Sequence, residues 1–394
     1  IRNCSVKKGG YMSQDFKKFL EIMVEKKASD FFVTAGRPPS IKVENELVDL
    51  SSDNFQSEMT MGWVESLMDD NQRLEFERTG ECNFAFSVAG LARFRVSAFM
   101  QQGQAGMVIR RIESKIPDLS DLNLPTYLPQ LIMENRGLVL VVGGTGSGKS
   151  TTLAAMIKYR NQNVSGHIIT IEDPIEFVHS HQKSIITQRE VGIDTQSFEV
   201  ALKNTLRQAP DVILIGEIRT RETMQHALAF AETGHLCLAT LQANNANQTL
   251  DRVLSFFPEE LHGQVLKELS LNLKGIVAQQ LVKRKEGKGV YPAVEVLLNT
   301  PLMSDLIAKG SIDEIKELIK RSKEQGMQTF DQALFQLYGD NKISYEDALA
   351  LADSTNEVRL MIKLGSKNEN ESLKDKVKEM KLTESGDEFI SINS

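Results

Sequence analysis

Gly143-Gly144-Thr145-Gly146-Ser147-Gly148-Lys149-Ser150 decides the fold. It fits the phosphate-binding pattern G-x-x-x-x-G-K-[ST], and its flanks supply the context that pattern needs. Before it, Leu138-Val139-Leu140-Val141-Val142 is an unbroken apolar run, as in a strand buried on both faces. After it, Thr151 to Asn161 reads as a helix. Glycines let successive backbone N–H groups converge on phosphate oxygens, and the helix N-terminus adds free donors and partial positive charge. Gly143, Thr145, Gly146, Ser147, Gly148, Lys149, Ser150 and Thr151 are therefore the nucleotide-binding candidates. Lys149 would offset the charge of the β- and γ-phosphates of ATP, and Ser150 would ligate Mg²⁺.

Working outward, alternating strands and helices continue to about residue 241, which predicts a parallel sheet covered by helices. The expected strands are 138–142, 167–171, 212–215 and 236–241, with helices at 151–161 and 221–233, the latter closed by Gly234. From Pro258 the chain reads as mostly helical. Toward the N-terminus, a helix from Ser13 to about Lys27 and another around 55–70 accompany short alternating segments. These are 30–34, a hairpin over 41–50 turning near Glu44-Asn45, 82–88, 92–100 and 107–112. They make a small α+β domain at 12–115, joined by a proline-punctuated linker (116–135) to the ATPase core at 136–364. Residues 1–11, before Met12, read as an upstream extension. The charged tail 365–394 has one amphipathic stretch, Leu373 to Met380, and is expected to be disordered or loosely docked.

In open parallel sheets the chemistry lies beyond the carboxyl ends of the strands. Asp211 and Glu217 bracket one apolar strand and lie ~20 Å apart, so only Glu217 reaches the phosphate side. Glu217 is the candidate for polarising the attacking water, directly or beside Mg²⁺, and Asp211 is read as structural. Arg219 follows closely, but its spacing is read as pointing it away from Glu217. Glu172 and Glu176, after the second strand, are candidates for Mg²⁺–water contacts or for pairing with arginine. Gln242 ends the next strand, where a glutamine can orient water or sense the γ-phosphate. His235 begins that strand and by length belongs at the opposite edge.

The 394 residues carry 25% charged side chains and a net charge of −7, against a broad nucleic-acid surface and hence against a translocase reading of the same core. No apolar run is long enough to span a bilayer, and no secretory signal is read at the start. Three cysteines without a C-x-x-C pair exclude a tetracysteine zinc site and suit a reducing cytosol.

Gly143–Ser150, Ile171-Glu172-Asp173-Pro174-Ile175-Glu176, Asp211 to Arg219 and Thr233-Gly234-His235 together resemble the bacterial secretion-ATPase superfamily. They correspond to its Walker A, Asp box, Walker B and His box. Ala28-Ser29-Asp30, Ala92-Arg93-Phe94-Arg95-Val96 and Gly326-Met327-Gln328-Thr329-Phe330-Asp331 are similar to the type IV pilus retraction ATPases, the PilT/PilU family. Similarity runs from about Met12 to Met361. Two stretches depart from the PilT pattern. Gln242 stands where its second His-box histidine would be, and Leu302 to Ala308 lacks both arginines of its Ala-Ile-Arg-Asn-Leu-Ile-Arg stretch. Gln242 to Gln248 is similar to the PilU branch instead.

The resemblance implies a RecA-like core after a PAS-like domain, ATP and Mg²⁺ as ligands, and a role for His235. It also implies arginines from the N-terminal domain completing the site, at Arg93, Arg95 and Arg110. It further implies a homohexamer in the cytoplasm at the inner-membrane base of the pilus machine. The expected partners are an inner-membrane platform protein and a PilT-like ATPase. The function implied is ATP-driven pilus retraction and twitching motility. The alternative is an accessory subunit that binds ATP, hydrolyses it weakly and modulates a PilT motor.

Overall fold

A computed structural model describes residues 14–43, 46–112 and 115–364. Ser13, the turn at 44–45, the N-terminal extension and the tail with Leu373 to Met380 lie outside the described residues.

Two sheets organise the chain. The first is antiparallel and holds β1 (Asp30–Val33), β2 (Ser40–Val43), β3 (Glu46–Asp49), β4 (Glu81–Val88), β5 (Ala92–Gln101) and β6 (Gln104–Ile112), in the order β3-β2-β1-β6-β5-β4. Helices Gln14–Glu25 and Ser57–Leu67 meet over it through an aromatic cluster. Phe16 and Trp63 stand edge to face at 5.0 Å, with Phe31 of β1 beneath Phe16. The helix read at 55–70 is Ser57–Leu67, and a second helix absent from the sequence reading, Asp70–Thr79, follows it, capped by Asp69. Its side chain accepts from Gln72 N–H while the Gln72 side chain accepts from Asp69 N–H.

The second sheet holds β7 (Gly137–Val142), β8 (His167–Glu172), β9 (Ile185–Glu190), β10 (Val212–Ile215), β11 (Leu236–Leu241), β12 (Leu273–Lys283) and β13 (Val290–Leu298). Its order is β13-β12-β7-β11-β10-β8-β9, parallel throughout except for β13 at one edge. Every residue of β7, β10 and β11 is buried, which is why each reads as a continuous apolar run. β9 is a strand that the sequence reading lacks, and β12 and β13 are a strand pair inside the stretch after Pro258 that is otherwise mostly helical, as expected. Helix His262–Asn272 runs directly into β12, and Pro292 is tolerated because β13 is an edge strand. The stretch read as a linker is partly core: Leu119, Leu128, Leu131 and Ile132 are buried with the second sheet.

Candidate nucleotide site

The phosphate loop leaves β7 and enters helix Lys149–Asn163. Gly143 has φ 153° and Gly148 φ 86°, and neither position has room for a side chain. A Cβ on Gly143 would lie 2.4 Å from the Gln279 carbonyl and from Ser147 Oγ, and one on Gly148 2.6 Å from Gln279 Nε2. The loop is thus moulded on β12. Gln279, buried there, donates from Nε2 to the Ser147 carbonyl at 2.7 Å and accepts at Oε1 from Thr152 Oγ1 at 2.7 Å. Sequence reasoning missed Gln279 because it lies 132 residues from Ser147 on a strand that was not recognised.

Lys149 Nζ donates to the carbonyls of Gly143 and Gly144, both at 2.8 Å. Burial pushes its pKa down, opposed by the charges of Glu217 and Glu176. An ammonium held on neutral carbonyls in a partly dry site gains from an arriving polyphosphate, whose charge is a stronger partner. Ser150 and Thr151 line the same cleft of about 530 Å³, with Glu172, Glu217 and Gln242 on its other side.

β10 and β11 are parallel and in register, so their carboxyl ends deliver Glu217 and Gln242 side by side. Gln242 Nε2 donates to Glu217 Oε1 at 2.8 Å. Thr240, buried, fixes the segment that carries the glutamate: its hydroxyl donates to the Gly216 carbonyl at 2.5 Å, and its own carbonyl accepts from Ile218 N–H at 2.9 Å. Arg219 is a correction. It turns toward Glu217, with Nε 2.6 Å and Nη2 2.5 Å from Oε2, and Nη1 lies 3.8 Å from Asp173 Oδ2. Residues two apart in an extended chain share a face, which the spacing reading overlooked.

Glu172 lines the cleft, its Oε1 accepting from Thr170 Oγ1 at 2.6 Å and Gln188 Nε2 at 3.3 Å. Burial pushes this carboxyl above its usual range, against those two hydrogen bonds. His179, another residue the sequence did not signal, also faces the cleft, and burial lowers its pKa to about 4.

The remaining candidates fall elsewhere. His235 precedes β11 at the amino edge of the sheet, one β11 length (~20 Å) from Gln242. There its carbonyl accepts from Gly137 N–H and its Nδ1 lies 3.2 Å from Thr233 Oγ1. Its placing among the catalytic groups is therefore corrected for the site of its own chain. Asp211 is structural, as read: Oδ2 accepts from His167 N–H at 2.7 Å. Arg110 Nε donates to Asp30 Oδ1 at 2.8 Å, while Arg93 lies 3.5 Å from Glu190 at the end of β9.

The residues fit a nucleotide with Mg²⁺. Gly143 and Gly148 are closed to side chains, Lys149 is paired only to carbonyls, and the Ser150 hydroxyl and the Glu217 carboxylate are among the oxygens that line the cleft. That is the small protein share Mg²⁺ takes when phosphates supply the rest.

The sequence profile of type II/IV secretion system proteins matches residues 7–330. The type IV pilus ATPase PilU of Pseudomonas aeruginosa is 62% identical over 359 residues, 91% of this chain and 94% of the relative. The type IV pilus retraction ATPase PilT of the same organism is 41% identical, over 85% of this chain and 97% of the relative. Among solved structures, the pilus retraction motor PilT with bound ADP superposes with a TM-score of 0.81 at 40% identity, covering 86% of this chain and 98% of that one. The Legionella pneumophila ATPase DotB shares the fold, with a TM-score of 0.75 at 23% identity.

Proposed function

This chain belongs to the type II/IV secretion system protein family and is a P-loop ATPase of type IV pilus retraction, and we propose that it works as a PilU-like homohexameric motor subunit. The observation that carries this reading is the meeting of Lys149, Glu217 and Gln242 in one cleft at the carboxyl edge of the sheet.

The loop amides and Lys149 bind the phosphates of ATP. Glu217 accepts a hydrogen bond from the attacking water and takes its proton. Gln242, bonded to Glu217, orients that water or registers the γ-phosphate. Arg219 holds Glu217 Oε2 until the water competes for it. Ser150 and Glu217 would hold Mg²⁺, which supplies charge neutralisation on the phosphates when bound. Glu172 positions the Asp-box loop through Thr170 and Gln188. Arg93, Arg95 and Arg110 complete the site from the N-terminal domain, in the same subunit or a neighbouring one.

Among the described residues, no helix is long and apolar enough to cross a membrane. The reading places the motor in the cytoplasm, peripheral to the inner membrane, acting on a platform protein. A second reading is supported by Gln242 and by Glu217 having both oxygens engaged: a slow ATPase that assists a PilT-like motor. Steady-state ATP hydrolysis by the purified chain, alone and with a PilT-like ATPase, decides between them. Turnover alone within an order of magnitude of the mixture supports an independent motor, and turnover only in the mixture supports the accessory role. Loss of nucleotide binding in neither Lys149→Ala nor a Gly148→Ala protein would overturn the site itself.

A further inference from the structure

β5 alternates strictly. Phe94, Val96 and Ala98 are buried in the core of the N-terminal domain, so Arg93 and Arg95 face the other way. Arg95 stands directly across from Arg110 on β6, a like-charge pair that repels. Arg110 is relieved by Asp30, its neighbour on β1. Arg93 turns instead to the buried Glu190, whose charge Arg95 also feels, one carboxylate for two guanidiniums. Arg93 Nη2 is 3.5 Å from Glu190 Oε2. That oxygen and the Nε atoms of both arginines are buried without a hydrogen-bond partner.

Glu190 also reaches the loop that lines the nucleotide cleft, through the backbone of Ile175. Burial raises its pKa, opposed by Arg93, Arg95 and a backbone hydrogen bond from Ile175. Ile175 sits between Asp173 and Glu176, which line the cleft, and the charge of Glu176 is felt by both Arg95 and Lys149. The cluster is charged and incompletely bonded around a buried carboxylate, at the junction of the two sheets.

We propose that Glu190 is a positioning residue that holds Arg93 and Arg95 against β9, off the phosphates, so that an entering nucleoside triphosphate must draw them away. The contact is an autoinhibitory latch between the N-terminal sheet and the ATPase core. Breaking a buried ion pair outright is costly, whereas exchanging its carboxylate for a phosphate keeps the arginines paired. This rests on the reading that the β5 arginines act on the nucleotide, and the test separates the two.

KM and kcat for ATP are measured on the purified full chain as wild type, Glu190→Gln, Glu190→Asp, Arg93→Ala/Arg95→Ala, and the triple variant. Glu190→Gln is expected to lower KM about tenfold, within the range of coupling free energies between sites. Glu190→Asp, which keeps the charge, stays within about twofold of wild type. In the Arg93→Ala/Arg95→Ala background, Glu190→Gln changes nothing. An unchanged or raised KM in a folded Glu190→Gln protein, with the double arginine variant impaired, overturns the latch alone. An unimpaired double arginine variant overturns the reading beneath it. Hydrogen exchange on the wild type gives an arm that needs no variant. A non-hydrolysable ATP analogue is expected to protect 143–151 and to speed exchange over 185–195. Protection of the first with no change in the second also overturns the latch.

Discussion

The segment 211–217 carries a carboxylate at each end, and their partners differ in kind. At the amino edge of the sheet Asp211 accepts from the backbone of His167, and a Cβ on Gly166 would come within 2.7 Å of the same oxygen. His235 at that edge likewise gives its carbonyl to Gly137 N–H. At the carboxyl edge Glu217 is held by side chains, Arg219 and Gln242, and Lys149 rests on loop carbonyls that a phosphate can replace. A side chain bonded to the backbone of the next strand cannot change partner without disturbing the sheet. Side chains that hold one another can part when a ligand arrives. The same residue types thus make a scaffold at one edge and an exchangeable set of charges at the other.

Lys149→Ala attacks the exchangeable edge at its strongest point. It removes the cation facing the phosphates, and ATP affinity is expected to fall by about a hundredfold or more. Titration with a fluorescent nucleotide checks this. Affinity near wild type would show that the loop binds by its amides alone.

Next comes the paired test of the two carboxylates. Glu217→Gln is expected to retain nucleotide binding and lose roughly a hundredfold or more in kcat. Asp211→Asn is expected to keep kcat and cost about 1 kcal/mol of stability, since a charged acceptor becomes a neutral one. Turnover and denaturant midpoints are measured on both. If Asp211→Asn loses turnover and Glu217→Gln does not, the assignment of the two edges is reversed.

Gln279→Ala tests whether the exchangeable edge needs a fixed support. The change removes two buried hydrogen bonds that tie β12 to the loop and to Thr152. ATP affinity is expected to drop about tenfold, from a net loss near 1–1.5 kcal/mol. Unchanged affinity would mean that the loop holds its shape without β12.

The contrast between edges also explains what the sequence disclosed. β7, the loop and its helix are contiguous, so the phosphate site was legible from one stretch. Strand direction alone then separated Glu217 from Asp211. What stayed hidden came from far along the chain or from geometry at a strand end. Gln279 is on a strand masked by the helix that runs straight into it. Arg219 was misjudged by a residue-spacing argument, although its distance of two favours the same face. Arg93 and Arg95 were marked by resemblance, but nothing in their own stretch pointed to Glu190, which a parallel strand brings to them from the other domain.

Gln242→His is the smallest and most discriminating change. Gln242 touches Glu217 through one N–H, is exposed, and ends a strand whose neighbour Thr240 already fixes the catalytic backbone. An imidazole at this strand end could donate to Glu217 Oε1 from one nitrogen and leave the other for the water. The substitution therefore keeps the geometry and adds a group that exchanges protons near neutral pH, so folding and ATP affinity are expected to stay within about twofold of wild type. Turnover is expected to rise by up to about tenfold and to acquire a dependence on pH near 6.5, the ordinary histidine value. Steady-state rates between pH 5.5 and 8 measure both. A rise without a new pH dependence would assign the gain to water orientation alone. A protein that folds but no longer binds ATP would show instead that Gln242 belongs with the fixed scaffold, and the line between the two kinds of edge would have to be drawn on the phosphate side of β11.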